Sequence, residues 1–117
     1  MQMEVRSKGF STTAAIRAHV EKRLGFALDR FGSHIRSVAV WLGDMNGPKG
    51  GVDKCCRIAV DLGGNHVALE ESAADLYHAV DHAAHRLRTK IVRELEREHA
   101  LAVRRTLAGE QVMSAHA

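Results

Sequence analysis

The sequence of 117 residues contains few of the residues that mark several common protein classes. The two cysteines, Cys55 and Cys56, are adjacent; neighbours on a strand point to opposite faces and pair poorly, so we expect no disulfide and a reducing, cytoplasmic location. One proline and a hydrophobic fraction of 45% argue against disorder. No apolar run approaches the ~18 residues of a membrane span, and the segment 1–5 predicts no secretory signal.

Aromatic residues are also scarce, and the charge is only mildly biased. Aromatic residues make up 4% of the chain and do not form the stacking platform that binders of splayed single-stranded RNA use. Seventeen Lys and Arg against fourteen Asp and Glu give a net charge of +3. This value permits a polyanionic partner but does not require one, so the placement of the charge carries more information than its sum.

Alternation and helical periodicity predict four strands and two helices. Met3 and Val5 mark a first strand, and a helix is predicted over 13–31, capped within 11–13 and ended by Gly32. Alternating apolar residues predict strands near 38–42, 56–62 and 67–69, with a hairpin turn at 63–65. A second, longer helix is predicted from a cap at Ser72 to about residue 104.

The predicted element order is β-α-β-β-β-α, which indicates an α+β fold. It is expected to be a two-layer sandwich, a four-stranded sheet with two helices packed on one face. The first two strands are predicted to be parallel through a right-handed crossover, and the others to form an antiparallel meander. One cysteine is expected in the core and the other on the outer face. We predict one domain over 1–105 and a flexible C-terminal tail over 106–117.

Positive residues collect on one side of each predicted helix. At ~100° per residue, those of the second helix fall within a sector of roughly 60° beside the apolar stripe. On the first helix, His19, Arg23 and Arg30 share one flank, with Lys22 further round. Two such helices packed side by side would share a basic groove, while Glu94, Glu96 and Glu98 are expected to face elsewhere or over the end of the stripe. Arginine suits phosphates because its planar guanidinium donates two hydrogen bonds at once. Helix faces that are merely exposed to solvent, with no ligand, show the same pattern of charge.

The other groups of candidate functional residues are better explained by structural roles. His78, His82 and His85 share one helix face without a further ligand, so we predict no metal and no cofactor. The glycine-rich stretch 47–54 precedes a strand rather than a helix, which favours a loop over a phosphate-binding motif, with an RNA contact as the alternative. Trp41 is predicted to pack or to contact a protein partner on the open sheet face. No residue arrangement supports catalysis, and we expect neither an enzyme nor a small-molecule substrate.

Two segments resemble the helices of the hibernation-promoting factor and ribosome-associated inhibitor A family. Residues 13–24 are similar to the family pattern T-x-A-I-R-x-H-V-x-x-R-L. Residues 75–81 are similar to its pattern D-M-Y-x-A-I-[DN], with Leu76 and Val80 as mild exchanges. The resemblance covers about residues 1–100, and the length leads us to expect the short form, which lacks the dimerisation domain of the long form.

The resemblance implies a ribosome hibernation factor that binds 16S rRNA of the small ribosomal subunit in the mRNA/tRNA channel and inhibits translation under stress or in stationary phase. Arg17 and Arg23 match the first-helix motif, and the family's basic second-helix segment supplies four more positions. Together with two residues from the helix periodicity, the predicted RNA-binding residues are Arg17, Lys22, Arg23, Arg30, Arg86, Lys90, Arg93 and Arg97. Tyr77 and Asp81 are expected to be structural.

The resemblance makes the domain over 1–105 the ribosome-binding domain. The expected partner is therefore the small ribosomal subunit, bound by a monomeric protein that does not associate with a membrane. Two alternatives stay open at this point. In the first, the chain is a double-stranded-RNA-binding module unrelated to ribosomes. In the second, it is a scaffold that binds protein through the open sheet face.

Overall fold

The computed structural model describes residues 2–8, 12–44 and 54–116, with side chains up to residue 108. Its elements follow the predicted order. They are the strands β1 (Gln2–Lys8), β2 (Ser37–Asp44), β3 (Lys54–Asp61) and β4 (His66–Ala73), the helices α1 (Ala14–Leu28) and α2 (Leu76–His116), and a 3₁₀ helix at Asp29–His34.

The four strands form one mixed sheet in the order β1-β2-β3-β4. As predicted, β1 runs parallel to β2, and both other pairings are antiparallel. The turn between β3 and β4 closes through a hydrogen bond from Leu62 N to Asn65 O at 2.8 Å. Gly63 has a φ of 95°, a conformation that only glycine adopts without strain. These observations confirm the α+β fold and the predicted hairpin.

The core lies between one face of the sheet and the inner sides of both helices. Alternate residues of β2 and β3 are buried, as are Val5 of β1, Val67 and Leu69 of β4, and one stripe of each helix. Among the largest fully buried side chains are Leu24, Leu28, Leu42, Ile58, Leu87 and Ile91. Cys56 is fully buried in this core, as expected for one cysteine, and burial raises the pKa of its thiol to about 12. Cys55 occupies the opposite face of β3.

The end of α1 and the start of α2 differ from their predicted positions. α1 ends at Leu28, and Gly32 lies inside the 3₁₀ helix rather than behind an α-helix. The tighter winding brings Phe31 into the core, where only 8% of its surface is exposed. Ser72 belongs to β4, and the cap of α2 is Asp75, whose Oδ1 accepts from Tyr77 N at 2.7 Å. At the start of α1, the Thr13 side chain accepts from the Ile16 amide, as a predicted cap should.

α2 is much longer than the layer on which it packs. Its 41 residues span about 60 Å at 1.5 Å per residue, whereas an eight-residue strand spans roughly 26 Å. The side chains of residues 99–108 are all exposed, and the backbone stays helical to His116, beyond the predicted end near residue 104. The separate tail over 106–117 stays a prediction. Within the described ranges, no helix combines the length and hydropathy that a membrane crossing demands.

Candidate nucleic-acid interface

A polar cluster joins the two helices where their sequence motifs meet. Asp81 of α2 accepts from His19 Nε2 at 2.7 Å and pairs with Arg23 Nε at 2.9 Å, both on α1. Tyr77, one helical turn before Asp81, packs edge-to-face on the His19 ring at a centroid distance of 4.8 Å. Asp81 and Tyr77 therefore have the structural contacts that the sequence predicts, and they fix which flank of α2 faces α1.

Beyond this cluster the helices enclose a basic groove. We call it the interhelix groove, and it contains the predicted residues Arg23, Arg30 and Arg93. Its other lining side chains are Phe26 and Ala27 of α1 with Ala84, His85, Arg88, Thr89, Val92 and Glu96 of α2. Arg23 lines the groove from α1 and Arg30 from the 3₁₀ helix, and His19 contacts Asp81 of α2, so all three face α2 as predicted.

Arg86 and Lys90 do not line this groove, so the prediction that they share it with α1 is wrong. The Arg86 guanidinium pairs with Glu71 of β4, and Lys90 Nζ donates to the Ala68 carbonyl on the same strand. Both side chains thus lie on the opposite flank of α2, which we call the β4 flank. Arg97 follows Lys90 by seven residues and shares this flank. Arg93 borders both surfaces, because it lines the groove and also a cleft beside Arg86 and Lys90.

The two remaining predicted residues lie on the outer side of α1. Arg17 is exposed and pairs with Glu21 one turn later at 3.4 Å. Lys22 lines a cleft beside Phe26, which also holds Arg30 and Arg88. Arg88 is not among the predicted residues, and it lines both cavities around Phe26.

The cations differ in how they are partnered. Arg17, Arg23, Arg86 and Lys90 contact acceptors within the protein. Within the part of the chain that the structure describes, the other positive residues of the helices' outer surface have neither a salt bridge nor a hydrogen-bond acceptor. They are Lys22, Arg30, Arg88, Arg93, Arg97, Arg104 and Arg105. An unpartnered guanidinium loses no internal contact when it binds an anion, so these residues are the best prepared for phosphates.

Residues 3–99 match the family described as Sigma 54 modulation protein / S30EA ribosomal protein. The chain belongs to the S30EA family. This confirms the resemblance seen in the sequence. The Protein Y N-terminal domain from Thermus thermophilus is similar, with 35% identity, a TM-score of 0.66 and coverage of 80% of this chain and 98% of its own.

A second solved structure is similar in fold to this S30EA protein. The ribosomal subunit interface protein from Coxiella burnetii has a TM-score of 0.68 and covers 82% of this chain and 99% of its own. At 20% identity this likeness shows the fold alone. A comparison with curated proteins found no match.

The acids of α2 in this S30EA chain lie largely where the sequence predicts. Glu94 and Glu98 both accept from the Asn65 amide in the β3–β4 turn, the first at 3.0 Å. They therefore point toward the end of the sheet and not toward the cations. Glu96 is the exception, because it lines the interhelix groove beside Arg30 and Arg93.

The other sequence candidates contribute less to this surface. Among the residues that the structure describes, no three His, Cys, Asp or Glu side chains are arranged to hold a metal ion. Trp41 lies on the open sheet face, where the Arg57 guanidinium sits 5.7 Å from its ring centroid. Most of the glycine-rich segment falls in 45–53, outside the described residues.

Replacing Asp81 by alanine is expected to lower the free energy of unfolding by about 1 kcal/mol, because His19 and Arg23 both lose their acceptor. Chemical denaturation measures this difference. A double-mutant cycle with His19→Ala should give a coupling energy of about 0.5–1 kcal/mol. Glu21→Ala, which removes an exposed carboxylate, is the matched control and should change stability little. Equal effects of Asp81→Ala and Glu21→Ala would refute the role of Asp81 as a tie between the helices.

Proposed function

We propose that this S30EA-family protein is a ribosome hibernation factor. It binds 16S rRNA of the small ribosomal subunit in the mRNA/tRNA channel and inhibits translation under stress or in stationary phase. The proposal combines membership in a family described as ribosomal with the function that the helix motifs imply.

The observation that carries the proposal is the set of unpartnered cations on the outer surface of the two helices. Arg30, Arg88 and Arg93 line one continuous groove and have no acceptor within the described residues. A guanidinium donates two parallel hydrogen bonds to a phosphate, so a row of them along a groove matches a folded RNA backbone. The net charge of +3 understates this local field, because acids such as Glu94 and Glu98 are engaged elsewhere.

Inhibition in this proposal is steric. The groove and the β4 flank hold rRNA phosphates, while the sheet and the helices fill space that mRNA and tRNA need. On the β4 flank, Glu71 competes with a phosphate for Arg86, whereas Lys90 keeps two N–H donors beside its bond to the Ala68 carbonyl. No covalent step is involved, and the proposed role needs neither a metal nor a cofactor.

Co-sedimentation with purified bacterial small ribosomal subunits tests the proposal. We expect binding at low salt that weakens steeply as salt rises, by about 0.7–0.9 logarithmic units of affinity per tenfold change in salt for each phosphate contact. Addition of mRNA and initiator tRNA should compete with the protein. Absence of binding at low salt, or binding that mRNA and tRNA leave unchanged, would overturn the proposal.

The same assay separates the two alternatives. Duplex RNA of unrelated sequence and unlabelled subunits are compared as competitors. If the duplex RNA displaces the protein from subunits equally well, the protein is a double-stranded-RNA-binding module. The scaffold alternative rests on Trp41, which is 41% exposed on the open sheet face. A tight dimer in analytical ultracentrifugation that Trp41→Ala dissociates would favour that scaffold over the proposed monomeric factor.

A further inference from the structure

Phe26 is the most exposed large hydrophobic side chain of the described residues, at 86% of its surface. It contributes little to the core, and phenylalanine forms helices less well than alanine, so stability does not explain its presence on α1. A single exposed apolar residue is ordinary on a protein surface. The surroundings of Phe26 are what set it apart.

The ring of Phe26 borders two cavities, and both contain cations. On one side lie Arg23, His85 and Arg88, within the interhelix groove. On the other side is the cleft with Lys22, Arg30 and Arg88, which also includes the acids Glu21 and Asp29. Gly25 borders this second cleft, and a Cβ placed there would meet no atom within 4 Å, so the space beside the ring is open.

An aromatic face among cations matches the chemistry of a nucleotide in single-stranded RNA. The base stacks on the ring, and the phosphates on either side of it pair with guanidinium groups. An apolar pocket of a protein partner would also accept a phenyl ring, but it would bury the surrounding cations without acceptors, which is costly. The cations therefore favour RNA over protein as the occupant.

We propose that Phe26 is a stacking site for one unpaired RNA base, flanked by phosphate contacts of Arg30 and Arg88. The inference rests on the proposed function and deepens it. Phosphate contacts follow the RNA shape whatever its sequence, whereas the stacked base requires an unpaired nucleotide at one defined point. A single ring is sufficient for this, so the absence of an aromatic platform on the sheet does not conflict with it.

The test compares wild type with Phe26→Leu and Phe26→Tyr on purified bacterial small ribosomal subunits. Leucine keeps an apolar side chain without a π face, and tyrosine keeps the face. Phe26→Leu should weaken binding at least about fivefold, and Phe26→Tyr should bind within about twofold of wild type. The steepness of the salt dependence should stay unchanged, because no phosphate contact is lost. Far-UV circular dichroism and the thermal midpoint should be the same for all three proteins.

Acylation of RNA 2′-hydroxyl groups, which reports nucleotide flexibility, supplies a second readout at saturating protein. At least one unpaired 16S nucleotide should lose reactivity with wild type and Phe26→Tyr but keep it with Phe26→Leu. Full affinity and an unchanged pattern for Phe26→Leu would overturn the inference and leave the proposed function standing. Weak binding by Phe26→Tyr with full binding by Phe26→Leu would indicate an apolar protein contact and overturn it too. If wild type does not bind subunits at all, both proposals fail together.

Discussion

The double variant Arg30→Glu, Arg93→Glu is expected to lose small-subunit binding by at least about a hundredfold. Both side chains line the interhelix groove and have no partner among the described residues, so each is free to hold a phosphate. A hydrogen bond to a charged group contributes about 1.5–3 kcal/mol, and reversal adds repulsion to its loss. Co-sedimentation at several salt concentrations gives the affinity, and the salt dependence should become shallower by roughly two phosphate contacts.

The matched control is the double variant Arg36→Glu, Arg57→Glu. It makes the same change in net charge with two exposed arginines that lie outside the groove, one before β2 and one on the open sheet face. We expect this control to bind within a few fold of wild type. Equal losses in both double variants would mean that net charge, and not the groove, governs binding. Wild-type affinity of the groove variant would place the interface elsewhere on the molecule.

The largest expected effect on stability comes from Leu87→Ala. Leu87 is fully buried at the middle of the part of α2 that packs on the sheet. Truncating a buried leucine to alanine lowers the free energy of unfolding by about 2–5 kcal/mol, from lost transfer energy and from the cavity left behind. A domain of this size has about 5–15 kcal/mol in total, so the thermal midpoint should fall by roughly 10 °C or more. Denaturant titration and calorimetry measure both quantities.

Leu101→Ala is the same substitution on the same helix, at a position with 37% of its surface exposed. We expect it to change the free energy of unfolding by less than about 0.5 kcal/mol. A large loss there would show that the projecting part of α2 packs on something, for example a second copy of the chain. A small loss for Leu87→Ala would contradict the packing of the core as described.

The fold was readable from the sequence because burial imposes a period. Alternate residues such as Val38, Val40 and Leu42 are buried on one face of β2, and the apolar stripe of each helix meets that face. The parallel pairing of β1 with β2 followed from the helix between them, since a crossover of that kind returns in the same direction. These features depend on the average pattern of many residues, so single errors do not change them.

The boundaries of the helices depend on single contacts, and there the pattern failed. Ser72 and Asp75 are both good capping residues, and what decides between them is where the pairing of β4 ends. That end is set by the partner strand β3 and not by the local sequence. Likewise, Gly32 is a residue of the type that ends an α-helix. The α-helix stops earlier, however, and the 3₁₀ helix that begins at Asp29 places Phe31 in the core.

The sequence predicted most of the basic residues of the candidate site, but only partly which side of α2 each of them occupies. A helical wheel places Arg86, Lys90 and Arg93 beside the apolar stripe, but it does not tell which flank of the stripe meets the neighbouring helix. Arg88 lies on the opposite flank and was therefore passed over. The missing information was the contact of Asp81 with His19, which fixes the rotation of α2 against α1 and depends on tertiary packing.

The parallel pairing of β1 also makes it the strand with the most distant partner in the sequence. β1 lies at one edge of the sheet and pairs only with β2, and Gln2 meets Ser37, which follows 35 residues later in the chain. The hairpins β2–β3 and β3–β4 close between neighbouring strands, and pairing across a longer separation costs more chain entropy. During synthesis, β1 can join the sheet only after β2 has also emerged from the ribosome, because β2 is its one strand partner in the described sheet.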